Sequence, residues 1–312
     1  MKILVTGGSG FLGSALRRIS AGHNAGVEWR FASSADADLT SKTECESLFE
    51  EYKPQRVIHL AAMQGGIGLN RSQPADLYHA NSMINGNVFH SCNEHRIEQL
   101  VYVFGGCSYP ALAGSPIAEN TLFEGMPQME SRAYSLTKAL GFIALDAYQK
   151  QYGLNSLTFV PGNMYGPNDD FSEDNSHVIG ALIRKFTIAR DRAEDAVEIW
   201  GSGAPLRDFV YVDDVANVIL KAMFTEGLYG GPINVSSGTE ISIKQLALAI
   251  KDLVGYEGEL RFDSTKPDGQ MRKQFDVSIM KSHGFNCETK LQLGLEATIN
   301  WFETHKASFI EQ

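Results

Sequence analysis

Four glycines near the amino end, Gly7, Gly8, Gly10 and Gly13, stand between an apolar run at residues 2–5 and a helical pattern at residues 14–20. The spacing is GxxGxxG from Gly7 and GxGxxG from Gly8. Glycine lets the backbone turn sharply and approach a ligand closely. The helix that follows offers unpaired N–H groups and a positive partial charge at its first turn. A strand that runs through such a turn into a helix is a ready seat for a pyrophosphate, so the loop predicts a dinucleotide site. Ser9, Phe11 and Leu12 complete the loop and join the glycines as expected cofactor contacts.

The pattern then repeats. Strand-like runs at 27–31, 38–39, 56–62, 100–104 and 157–160 alternate with helical stretches at 43–52, 74–95 and 131–152. This alternation predicts an α/β fold with right-handed crossovers: a Rossmann-like, doubly wound parallel sheet covered by helices on both faces. After Pro161 the regularity weakens. A loop rich in Gly, Pro, Asn and Asp (PGNMYGPNDDFSEDNS) precedes a basic amphipathic helix at 178–192. Strands at 208–212 and 232–235, helices at 215–224 and 243–254, and a polar stretch at 263–273 follow. The expected organisation is a dinucleotide-binding domain at 1–162 with returns near 207–236, and a smaller interleaved α/β lobe at 163–206 and 237–312.

Composition narrows the partners. The 312 residues carry a net charge of −10 and no long basic run, which argues against nucleic acid as a ligand. A phosphate-bearing ligand must meet a local cluster of Arg and Lys. No apolar run approaches the roughly 20 residues of a membrane span, and the apolar start is too short for a signal peptide. The four cysteines (Cys45, Cys92, Cys107, Cys287) are widely spaced, which favours a reduced, cytoplasmic setting. His90, Cys92 and His95 share a helix without a clean metal-binding spacing, so no metal is expected. Asn234-Val235-Ser236 fits a glycosylation sequon, but no secretory signal supports it.

Tyr134 and Lys138 lie four apart on a predicted helix and share a face. An ammonium beside a phenol stabilises the phenolate, so the Tyr134 pKa is expected below the ordinary value of about 10. That would give a proton donor and acceptor usable near neutral pH. The second strand ends Phe31-Ala32-Ser33-Ser34, with neither an acid for a ribose 2′-hydroxyl nor an Arg. The small residues leave room for a 2′-phosphate, with Arg17 and Arg18 as the candidates to meet it. NADP is therefore preferred, with NAD left open. Asp38 is expected at the adenine edge.

Together, GGSGFLG, HLAA, YSLTK and RDFVYVDDVA resemble the extended short-chain dehydrogenase/reductase family. Within it, GGIGLNRSQPADLYHAN, AENTLFEG, NMYGPNDDF, SHVIGALIRKF and KPDGQMRK resemble the GDP-L-fucose synthase branch. The resemblance implies an NADPH-dependent epimerase and 4-reductase acting on a GDP-linked 4-keto-6-deoxy sugar. Tyr134 and Lys138 would serve hydride transfer, and Cys107 and His177 would move protons at C3 and C5. It implies cofactor contacts at Leu39, Ala61, Ala62 and Gly105, and at Pro161, Asn163, Met164 and His177, beside Tyr134 and Lys138. Lys185, Trp200, Arg207 and Asp268 fall where the family grips the GDP-sugar. The helices at 74–95 and 131–152 match those that form a dimer interface in relatives, which implies a homodimer.

The chain also departs from that pattern. The family segment reads GSSCIYP, and its first Ser is the third member of a Ser–Tyr–Lys set. Here the stretch is Gly105-Gly106-Cys107-Ser108-Tyr109-Pro110, so the serine position falls on Gly105. Ser108 is expected to point elsewhere, and Gly162 replaces a usual Thr. A related single-activity epimerase or reductase, and a nucleotide-sensing protein without catalysis, remain the alternative expectations.

Overall fold

The computed structural model describes residues 1–22, 26–173 and 176–310. The first half alternates as the pattern demands: β1 (Lys2–Thr6), α1 (Phe11–Ser20), β2 (Glu28–Ala32), α2 (Lys42–Tyr52), β3 (Arg56–His59), α3 (Ile67–Ser72), α4 (Pro74–Glu94), β4 (Gln99–Val103), α5 (Arg132–Tyr152) and β5 (Ser156–Pro161). The second half adds β6 (Asn163–Tyr165), α6 (Val178–Asp191), β7 (Ala196–Trp200), β8 (Leu206–Tyr211), α7 (Val212–Met223) and β9 (Gly230–Val235). It ends with β10 (Glu240–Ser242), α8 (Ile243–Val254), β11 (Glu259–Asp263), β12 (Arg272–Lys273), α9 (Ser278–Ser282), α10 (Leu291–His305) and α11 (Ala307–Ile310).

The main sheet has six strands in the order β2-β1-β3-β4-β5-β9, all parallel. Successive side chains of a strand face opposite sides. Ile3 and Val5 of β1 therefore join one core, with Leu16, Val215 and Ile219 of α1 and α7. Leu4 joins the other, with Phe49, Val88, Phe89 and Leu145 of α2, α4 and α5. Burial on both faces is why β4 and β5 are buried along their whole length and read as continuous apolar runs. A smaller sheet, β10-β8-β12 with β6 on β8, and a β7/β11 pair form the second lobe. That lobe has its own core, in which Ile183 and Phe186 of α6 meet Leu246 and Ile250 of α8 and Phe302 of α10.

Residues 38–39 are not a strand. The Asp38 carboxylate accepts from the Thr40 N–H at 2.9 Å and the Thr40 hydroxyl at 2.7 Å, folding the chain into a turn that a ladder cannot follow. Strand β3 ends at His59, so residues 60–62 lie outside it. Of the segment 207–236, α7 and β9 pack with the main sheet, while β8 is the centre of the small one. The sequon residue Asn234 is fully buried and donates to the carbonyls of Ile117 and Asp276. No helix among the described residues is long and apolar enough to cross a membrane.

Candidate active site

The chain leaves β1 to opposite sides of the sheet through β2 and β3, which makes a crevice at their carboxyl ends, where α/β sheets bind ligands. A cavity of about 660 Å³ opens there. Gly7, Ser9, Gly10, Phe11, Leu12 and Gly13 form one wall. Asp38, Leu39, Ala61 and Ala62 form the second, and Gly105, Tyr134, Lys138, Pro161 and Met164 the far end. Gly7 has φ +70°, and a Cβ on it would lie 2.7 Å from the Ala61 nitrogen. A Cβ on Gly13 would lie 2.3 Å from the Gly7 carbonyl oxygen, so only glycine lets α1 close down on the loop. The first turn of α1 begins at Phe11 and directs its unpaired N–H groups towards this wall. The volume, the glycine-built wall and the helix end all suit a dinucleotide.

Three of the expected cofactor contacts lie elsewhere. Gly8 serves packing: a Cβ there would meet Phe31 of β2 at 2.6 Å. The Asn163 amide donates to the Asp208 carbonyl at 2.8 Å. His177 sits outside the cavity at the N-cap of α6, exposed, and makes no capping hydrogen bond. At the adenosine end, Ser33 and Ser34 line the cavity. Arg18 does not reach them, because it pairs with Asp213 and donates to Asn168. The Arg17 guanidinium lies 4.6 Å over the Phe31 ring, on the side of β2 next to this end.

Lys138 is 2% exposed, and its Nζ has no hydrogen-bond partner among the described residues. Burial pulls its pKa down to about 8, with a Cys107 thiolate opposing the shift. The phenol next to it behaves contrary to the sequence expectation. Burial pushes the Tyr134 pKa well above 10, and a Cys107 thiolate pushes it the same way. Spacing put both side chains on the wall of one cavity, where exclusion of water sets the direction of the shift. Tyr134 therefore holds its proton at neutral pH, which suits a donor rather than a base.

A buried polar chain fixes this helix. The His59 ring pairs with Thr6 Oγ1 at 2.7 Å and Asn85 Oδ1 at 3.2 Å. Asn85 donates to the Tyr102 hydroxyl, which donates to the Lys138 carbonyl at 2.9 Å. Burial, followed by the Lys138 charge, pulls the His59 pKa down to about 3, so the ring stays neutral.

Gly105 faces the cavity with φ −80° and ψ 153°, a conformation any residue adopts. Ser108 points away, as expected, and donates to the Ser135 carbonyl at 2.9 Å. The half-buried Cys107 lies in the short turn Gly106–Ser108. Lys273 of β12 pairs in register with Arg207 of β8. Burial lowers the pKa of both, and a Cys107 thiolate favours the charged form of Lys273. Two adjacent, partly dehydrated cations make a diphosphate-sized patch beside the thiol. Arg272 is turned away and held by Glu240.

The remaining expected substrate contacts spread along the lobe. Trp200 is exposed at the end of β7 with Lys266 Nζ 5.5 Å over its ring. Asp268 accepts from Ser202 N and Oγ at 2.6 and 2.8 Å, one bond on each oxygen. Lys185 donates to the Glu198 carbonyl and lines a separate cavity of about 400 Å³ with Arg184 and Arg192.

Residues 3–236 match the NAD dependent epimerase/dehydratase family. The chain belongs to that family. It is 38% identical to GDP-L-fucose synthase 1 of Arabidopsis thaliana over 96% of this chain and 93% of that protein. Among solved structures, a GDP-L-fucose synthetase from Naegleria fowleri bound to NADP superposes with a TM-score of 0.89 at 29% identity, covering 98% of this chain and 95% of that one. A GDP-6-OMe-4-keto-L-xylo-heptose reductase from C. jejuni superposes with a TM-score of 0.87 at 29% identity, covering 97% and 98%. This family member thus presents the glycine-rich wall and the Tyr134–Lys138 pair around one crevice, with Cys107 outside the lining but its Sγ 3.5 Å from where a Cβ on the lining residue Gly105 would stand.

Proposed function

We propose that this chain is an NADPH-dependent 3,5-epimerase and 4-reductase of a GDP-linked 4-keto-6-deoxy sugar. The observation that carries the reading is the unpartnered Lys138 ammonium, buried beside a protonated Tyr134 and facing a dinucleotide-shaped cavity. No hydrogen-bond acceptor among the described residues meets that ammonium, so a ligand hydroxyl such as a nicotinamide ribose oxygen fits it. The glycine wall and α1 would hold the pyrophosphate, and Ser33, Ser34 and Arg17 the adenosine end. Bound NADPH supplies the hydride delivered to C4.

The protein's own groups do the rest. A ketone at C4 makes the C3 and C5 hydrogens acidic, and removing either places charge on the carbonyl oxygen. Tyr134 donates to that oxygen in the enolate and then gives its proton to the alkoxide. Cys107 and His177 serve as the proton carriers at C3 and C5. Arg207 and Lys273 hold the diphosphate, with Trp200, Asp268 and Lys185 along the lobe of residues 163–206 and 237–312. Four unpaired cysteines agree with a cytoplasmic setting.

The test is incubation with GDP-4-keto-6-deoxymannose and NADPH in D2O. Deuterium at C3 and C5 together with NADPH oxidation is expected, and Cys107→Ala should abolish the labelling. NADPH loss without labelling would select the second reading, a 4-reductase alone, which the position of His177 outside the cavity favours. Labelling without NADPH loss would remove the reductase assignment, and neither change would remove both.

The quaternary proposal is a homodimer through α4 and α5, which pack on each other and expose Tyr78, Met83, Leu140 and Ile143. Apolar side chains gathered on one helical face mark an interface. The double variant Leu140→Glu/Ile143→Glu should sediment at half the wild-type mass. An unchanged mass would place the contact elsewhere.

A further inference from the structure

The turn between β6 and α6 holds a carboxylate that the mechanism above leaves unused. Asp169 has a side chain only 3% exposed. Its Oδ1 accepts from the Asp170 N–H at 2.8 Å and lies 3.7 Å from His177 Nδ1. Its Oδ2 is buried with no partner among the described residues. A buried carboxylate with a vacant oxygen demands a positive or hydrogen-donating neighbour. Arg18 binds Asp213 and Asn168, and Arg184 donates to Glu173 through Nη2 while its buried Nε has no partner among the described residues. His177 is the basic group facing Asp169.

His177 itself is under-used where it stands. It occupies the N-cap of α6 but makes no capping bond, and its side chain is 74% exposed. The turn beneath is tightly built: Asn168 has φ +71° and is gripped by Arg18, and the Asp169 N–H donates to the Gly166 carbonyl. The carboxylate is therefore the fixed member of the pair and the ring the movable one.

We propose that Asp169 is the positioning residue for His177, its carboxylate engaging Nδ1–H so that Nε2 faces the sugar and moves the proton. The inference rests on the reading of His177 as a proton carrier. Asp169, with Asp170 adding a same-signed influence from the surface, also raises the His177 pKa, which favours the protonated ring. Asp170 is exposed and its carboxylate accepts from the Ser172 N–H, so it cannot fix the ring in the same way.

The experiment pairs a direct titration of His177 by NMR with deuterium incorporation into the substrate across pH. In Asp169→Asn the ring should titrate at lower pH than in the wild type. The pH profile of labelling should move with it, and labelling at neutral pH should fall roughly tenfold. Asp169→Glu, which restores the charge, should return both readouts towards wild type and serves as the second variant if the amide unsettles the turn. An unchanged ring titration in Asp169→Asn overturns the pairing. A shifted titration with unchanged labelling overturns instead the role of His177 as proton carrier, and with it the catalytic purpose of Asp169.

Discussion

Replacing Lys138 with methionine will make the folded protein more stable and leave it unable to reduce its substrate. The ammonium is buried without a hydrogen-bond partner among the described residues, eased by the Tyr102 ring 4.8 Å away and by a Cys107 thiolate. Its fall from 10.5 to about 8 corresponds to about 3 kcal/mol spent on keeping a charge where water is excluded. Methionine has similar length and no charge to desolvate. Lys138→Met should therefore raise Tm by on the order of 5 °C. The sign with pH follows from linkage. Below about pH 8 the native lysine is charged and the full penalty is present. Between about 8 and 10.5 the native form has released a proton that the unfolded chain keeps, so wild-type stability rises with pH. The advantage of the variant should shrink over that window. NADPH oxidation should drop by roughly 100-fold to 10,000-fold, because the donor loses its support and the ribose its partner. Thermal unfolding from pH 6 to 10 beside a steady-state assay checks both halves. A lower Tm in the variant would mean that the ammonium has a partner in solution.

Gly105→Ser should accelerate reduction. The backbone conformation there suits serine, and a Cβ would have only the Cys107 Sγ near it, at 3.5 Å. The added hydroxyl would enter the cavity beside Tyr134 and Lys138. A second donor to the carbonyl oxygen is worth roughly 100-fold in rate. Gly105→Ala is the control. It should share a stability gain of about 0.4–1 kcal/mol, from a less flexible unfolded chain, without the rate gain. Stopped-flow measurement of NADPH consumption separates the two variants. Equal rates for wild type, Ala and Ser would mean that the sugar ketone docks away from Gly105.

Local pattern made the first half readable. The loop at Gly7–Gly13, helix α5 with Tyr134 and Lys138, and the buried strands β4 and β5 all depend on short-range spacing and burial on both faces. The turn at Asp38 escaped because its determinant is a side chain bonding two residues on, not a periodicity. Strands β6, β10 and β12 are two or three residues long and carry no period to read. Lys273 gained its place only because β12 pairs with β8, a long-range event that sequence spacing does not encode. Tyr134 shows the other limit. A four-residue interval predicts a neighbour, but the direction of a pKa shift depends on how much water the whole crevice excludes.

The Phe275 ring stands where side chains at two of the substituted glycines would go. A Cβ on Gly106 would lie 2.4 Å from its rim, and one on Gly162 would lie 3.2 Å from it and 2.3 Å from Ser236 Oγ. Position 105 is free of that ring. Restoring the family's polar residues at these three positions is thus not three independent steps. The first can be taken at once, the second needs the benzyl group trimmed, and the third needs Ser236 to give way as well, so the order in which an engineer makes the changes matters.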